Sequence, residues 1–211
     1  MNEILNEISE NLQKGRAKVV VELVEKALAD GVAAGDILND GLMAGMDIIG
    51  TKFKNNEVFV PEVLVAARAM NKGVEILKPH LAADGVKAKG VAVIGTVKGD
   101  LHDIGKNLVK MMMEGKGFEM HDLGVDVSAE QFLEAAREHN ASVICVSALL
   151  TTTMGEMKNV VDAVKASDMA DKITVMIGGA PVTQAFCDQI GAGCYTQDAA
   201  SAAEEAVKFI A

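Results

Sequence analysis

Residues 90–107 read GVAVIGTVKGDLHDIGKN. The stretch 91–96 is short, largely β-branched and nearly all apolar. It has the length of a strand, and the lack of alternation suits a strand covered on both faces. A polar turn follows, and from Ile104 the spacing becomes helical through about 115. This is one strand followed by one helix.

Downstream the unit recurs. Strands are expected at 118–122, 142–146, 173–177 and, more weakly, near 194–196. Helices are expected at about 128–139, 154–167, 182–190 and 198–210. Five such units in about 120 residues predict an α/β domain with a five-stranded parallel sheet. The common strand order at this size is 2-1-3-4-5, the flavodoxin-like solution among Rossmann-type sheets. Ligands of such sheets sit beyond the carboxyl ends of the strands, where the order reverses.

Upstream, residues 1–86 show helical periodicity and almost no strand signal. Helices are expected at about 2–13, 17–30, 36–54 and 61–83. Val19, Val20, Leu23, Val24 and Leu28 form one apolar stripe; Ile37, Leu38, Leu42, Met46, Ile49 and Phe53 form another. Pro61 suits the first turn of a helix. The expectation is a four-helix bundle over 1–86, a polar linker and hinge at 87–90, and the α/β domain over 91–211.

Composition narrows the function classes. The chain has 211 residues, is 50% hydrophobic and 24% charged, and carries a formal charge of −10. Its mean hydropathy is +0.22. No apolar run approaches the roughly 18 residues of a membrane span, and the N-terminal stretch lacks a secretory pattern, so a cytoplasmic protein with no membrane contact is expected. Residues 1–88 hold 10 basic and 13 acidic side chains (−3) and the remainder 10 and 17 (−7), a poor surface for nucleic acid. Cys145, Cys187 and Cys194 are odd in number and form no CxxC pair, which points to free thiols in a reducing compartment.

With the order 2-1-3-4-5, the loops after strands one, three and four share one crevice. The first, 96–106, lacks both GxGxxG and GK[ST], so phosphate cradling is not its task. It offers His102 near a helix start, with Asp100 two residues before and Asp103 one after. A carboxylate on one ring nitrogen fixes the tautomer and raises the basicity of the other, as behind metal-bound histidines. The plainer reading is a histidine bonded locally at a helix start. One histidine cannot build a zinc site, so a metal it binds must arrive already coordinated. The second loop, 147–153, ends in Thr151, Thr152 and Thr153, which as helix caps would need no further role. The third, from Gly178 and Gly179, allows close approach of a ligand or merely a tight turn.

These loops together resemble the cobalamin-binding set DxHxxG, SxL and GG, standing here as Asp100-x-His102-x-x-Gly105, Ser147-x-Leu149 and Gly178-Gly179. The preceding helices, with Gly45-Met46-Asp47-Ile48-Ile49-Gly50, Phe53 and Phe59-Val60-Pro61, are similar to the cap that accompanies this domain in methyltransferase corrinoid proteins. The resemblance implies a methyl carrier with cobalamin or a related corrinoid, in the methylcobalamin form during turnover. His102 would ligate cobalt from below, and Asp100 and Thr153 would complete a proton relay. Asp103, Ile104, Gly105, Ser147, Leu149, Thr151, Gly178 and Gly179 would line the cofactor site, and Phe53 and Val60 would lie over the methyl face. Implied partners are a substrate:corrinoid methyltransferase, a corrinoid:acceptor methyltransferase using tetrahydrofolate or coenzyme M, and a reductive activation protein. Methylated amines, methanol or aryl methyl ethers are the implied donors, with a lean towards amines. Alternatives are the cobalamin subunit of an adenosylcobalamin-dependent isomerase, from which the four-helix cap points away, and a corrinoid sensor module.

Overall fold

The computed structural model describes residues 3–210; residue 2, where the first helix was expected to begin, and the outer ends at 1 and 211 lie outside the described residues. The chain divides into two compact units. One runs to Ala88 and includes Gly115–Gly117; the other comprises Lys89–Glu114 and the residues from Phe118 on.

The first unit contains α1 (Glu3–Gln13), α2 (Ala17–Ala29), α3 (Ala34–Asp36), a π-helical stretch (Ile37–Met43), α4 (Ala44–Lys54) and α5 (Val60–Ala83). The apolar stripes supply its core. Leu5, Ile8 and Leu12 of α1 are buried, as are Val20, Val24 and Ala27 of α2, Met46 and Ile49 of α4, and Leu77 of α5. Val19, Leu23 and Leu28 are half-buried at the stripe's edge. The periodicity predicts one regular helix over 36–54, and the structure departs from it. The π-helical stretch widens the turn, so the consecutive residues Gly41, Leu42 and Met43 are all buried. Pro61 does fall in the first turn of α5, where the Glu62 carboxylate accepts the Phe59 N–H at 3.0 Å.

The second unit runs β1 (Gly90–Thr96), α6 (Ile104–Gly115), β2 (Phe118–Asp122), α7 (Ala129–Glu138), β3 (Val143–Ser147), α8 (Met154–Lys165), β4 (Thr174–Gly178), α9 (Gln184–Ile190), β5 (Cys194–Tyr195) and α10 (Ala199–Ala206). All pairings are parallel and the order is β2-β1-β3-β4-β5. Gly90, expected in the linker, is the first residue of β1 and pairs with Phe118. Helix α7 starts on a capping box, in which Ser128 and Gln131 each accept the other's backbone N–H. Val93, Ile144, Val146 and Ile177 of the central strands pack with Phe132 and Met157 from α7 and α8 in one buried cluster. Burying such side chains stabilises the unit by about 1.5–3 kcal/mol each.

Register is what places the site. Thr96 stands opposite Ser147, and Ser147 opposite Gly178. The last residues of β1, β3 and β4 therefore form one row, and the three unusual loops leave the sheet side by side. Among the described residues, no helix is long and apolar enough to cross a membrane.

Candidate cofactor site

Asp100 is fully buried at the centre of these loops. Its Oδ1 lies 2.7 Å from His102 Nδ1 and accepts the His102 backbone N–H at 3.1 Å. Its Oδ2 accepts the N–H groups of Leu149 and Leu150 at 2.8 and 3.2 Å and lies 2.9 Å from the Thr153 hydroxyl. Burial pushes the carboxyl pKa up, but the hydrogen bonds from His102, Leu149 and Thr153 outweigh it and hold the group well below the usual carboxylate range. Asp100 is therefore an anion, and the neutral His102 ring must carry its proton on Nδ1. That leaves the Nε2 lone pair available on a side chain 51% exposed.

The Thr153 side chain does not act as a cap. Thr153 stands at the N-cap position of α8, but its side chain makes no capping hydrogen bond. Its hydroxyl lies 2.9 Å from both Asp100 Oδ2 and the Leu150 carbonyl, so one proton is shared between two acceptors. The structure thus joins Asp100, His102 and Thr153. Thr151 is exposed on the same loop, Ser147 and Gly178 are half-buried in the strand-end row, and Asp103 and Ile104 are exposed at the start of α6. Phe53 and Val60 belong to the first unit, half-buried at either end of the turn between α4 and α5.

The chemistry of these residues fits a corrinoid. Leu101 and Ile104, on either side of His102, are each 72% exposed, and Leu149 and Leu150 after β3 and Val125 after β2 are also exposed, which gives these loops apolar surface. The glycines separate into two kinds. Gly179 has φ +138°, and a Cβ there would fall 1.8 Å from the Ala148 carbonyl oxygen, so the chain's own packing requires it. At Gly105 a Cβ would meet nothing within 4 Å. The chain's own packing therefore does not require that glycine, and the space beside it is open to a ligand. Gly105→Ala is expected to stabilise the cofactor-free protein by about 0.5–1 kcal/mol in urea melts, while weakening cobalamin binding in titrations. Equal loss in both measurements would remove this role.

Several contributors carry no signature in the sequence. The Leu149 and Leu150 donors are backbone groups. The Thr96 hydroxyl donates to the His102 carbonyl at 2.7 Å, and Asp126 Oδ1 accepts the Gly99 N–H at 2.7 Å. Among the described residues, no group of three or more His, Cys, Asp or Glu is placed to hold a bare metal ion.

Residues 90–208 match the family described as B12 binding domain, and residues 4–78 match a second family of the same description. The fold and its site are thus those of a B12-binding protein. Dimethylamine corrinoid protein 3 of Methanosarcina acetivorans is 42% identical over 98% of this chain and 97% of its own length. The methanol:cobalamin methyltransferase complex from Methanosarcina barkeri contains a chain 34% identical with TM-score 0.90, covering 99% of this chain and 80% of that one. A cobalamin-binding protein from Desulfitobacterium hafniense is 30% identical with TM-score 0.80, covering 98% of each chain. The chain belongs to the family of methyltransferase corrinoid proteins, and its cofactor is cobalamin or a related corrinoid.

Proposed function

We propose that the chain carries methyl groups between two partner enzymes, taking them from a methylated amine, with dimethylamine the first candidate. The relative's name and the length of the match support that substrate. The observation that carries the carrier reading is the buried Asp100 anion holding His102 by Nδ1 at 2.7 Å, with the ring half-exposed beside apolar side chains.

The bound corrinoid supplies a cobalt that takes on a methyl group and gives it up. The chain's own residues would hold the corrinoid. His102 presents Nε2 as a ligand, and Asp100 fixes the tautomer that makes this possible. Thr153 can turn its hydroxyl from Asp100 towards the Leu150 carbonyl, withdrawing one hydrogen bond from the carboxylate and so raising its basicity without moving the backbone. Ligation by His102 is thereby coupled to the protonation of its neighbours. Leu101, Ile104, Leu149 and Leu150, exposed in this structure, would exclude water from the ring's surroundings once a corrinoid covers them.

Phe53 and Val60 are proposed as the helical unit's contribution to cofactor binding, and the stretch between α5 and β1 as the linker of the two units. The partners would be an amine:corrinoid methyltransferase, an acceptor methyltransferase using coenzyme M or tetrahydrofolate, and a reductive activation protein. The test is reconstitution with hydroxocobalamin, then reduction and mixing with a dimethylamine methyltransferase. One-to-one cofactor uptake and loss of one methyl group from dimethylamine, but not from methanol, are expected. Uptake with transfer from methanol alone would replace the substrate; no uptake would overturn the carrier reading.

A further inference from the structure

We propose that segment 122–127, Asp-Leu-Gly-Val-Asp-Val, is a clamp that positions the His102 loop, gripping its strand end through Asp126 and its helix end through the Asp122–Lys106 pair. The inference rests on the corrinoid reading of the site. The loop leaves β1 at Thr96 and enters α6 at Ile104.

At the strand end, Asp126 Oδ1 accepts the Gly99 N–H at 2.7 Å, and the Asp126 N–H donates to the Asp100 carbonyl at 3.1 Å. The Thr96 N–H donates to the Gly124 carbonyl, and the Val127 N–H to the Thr96 carbonyl, each at 3.0 Å. At the helix end, Lys106 Nζ is buried and lies 2.6 and 2.7 Å from the two Asp122 oxygens. Lys110 stands 3.5 Å from the same carboxylate, and the Gly124 N–H donates to it at 3.0 Å.

Three features make this a positioning device. The His102 ring is half-exposed, so packing does little to hold it, and its placement follows the backbone of its loop. Gly99 (φ +80°) and Asp126 (φ +57°) both occupy the left-handed region and face each other across one hydrogen bond, which fixes an otherwise rarely populated turn. Burying an ammonium against a carboxylate is a poor source of stability, because desolvation offsets most of the attraction, but it does dictate geometry. A ligand held loosely by its supporting groups loses much of its effect.

Asp126→Gly removes the carboxylate while relieving the positive φ, and Asp126→Asn keeps an acceptor in a residue that tolerates the same backbone. Asp126→Gly is expected to speed amide hydrogen exchange at Gly99 in the cofactor-free protein. It should also raise the Kd for hydroxocobalamin by about three- to tenfold, the loss of one hydrogen bond, and weaken the imidazole-ligated absorption spectrum. Asp126→Asn should restore all three. Lys106→Met with Asp122→Leu removes the other grip without leaving a buried charge unpaired, since Lys110, which also faces Asp122, is partly exposed, and should shift the spectrum the same way. Wild-type spectrum and Kd in both Asp126→Gly and the double variant, or an Asp126→Asn protein as impaired as Asp126→Gly, would overturn the clamp alone. A wild-type protein that takes up no hydroxocobalamin would overturn the corrinoid reading and the clamp with it.

Discussion

His102→Ala is expected to bind hydroxocobalamin at least 10–100-fold more weakly, and to lose the imidazole-ligated absorption spectrum altogether. That range is what removal of a supporting residue costs other metal sites, so removal of the ligand itself should cost no less. The variant should fold normally. The ring is half-exposed, and Asp100 keeps four of its five donors: the His102 backbone N–H, the Leu149 and Leu150 N–H groups and the Thr153 hydroxyl. Stability should therefore fall by no more than about 1.5–3 kcal/mol, the range of one hydrogen bond to a charged group, with unfolding still cooperative. The separation of the two effects makes the test informative. A variant that melts cooperatively, binds weakly and shows a solvent-ligated spectrum places His102 on the cobalt; an unchanged spectrum removes it from the mechanism.

The sequence disclosed the sheet more fully than the site. The apolar runs of β1, β3 and β4 and the helical stripes between them suffice for a parallel sheet, and the rule for such sheets implies the loops that meet. The pairing of Asp100 with His102 was legible because both lie on one loop, two residues apart. The role of Thr153 was not legible from the residues alone. A threonine before a helix reads as a cap, and only the register of β3 beside β1 brings its hydroxyl to Asp100. The same register aims the Leu149 and Leu150 amides, which every residue possesses and which no side chain advertises. Asp126 was overlooked because an aspartate in a surface loop is ordinary, and its value comes from a contact with Gly99, 27 positions away. The π-helical stretch at Ile37–Met43 escaped for a different reason. A periodicity of 3.6 has no place for three adjacent buried residues, so Gly41 and Met43, on either side of the stripe residue Leu42, register as noise in a regular helix.

Asp100→Asn should block ligation by a ring that is still present. The carboxylate accepts from five donors, two on Oδ1 and three on Oδ2. An amide has one acceptor oxygen, and the Leu149 and Leu150 N–H groups are fixed by the backbone. If that oxygen faces them, the amide NH2 faces His102. The ring then makes its hydrogen bond only by moving its proton from Nδ1 to Nε2, which removes the lone pair needed by the metal. The expected spectrum is that of His102→Ala, and the loss of charge-assisted bonds should lower stability by about 2–4 kcal/mol.

The pH dependence carries an independent signature of the same carboxylate. Burial raises its pKa, the hydrogen bonds from His102, Leu149 and Thr153 lower it, and the bonds prevail. The folded value thus lies below the unfolded value of about 3.9. Its stabilising contribution is fully present above that value and is lost as pH falls below it towards the folded value. Urea melts from about pH 5 down to pH 3 should show a steeper loss in the wild type than in Asp100→Asn, whose amide has no proton to take up. Parallel slopes would mean that Asp100 titrates alike in both states. In that case the hydrogen bonds around it would not secure its charge, and the fixed tautomer of His102 would lose its physical basis.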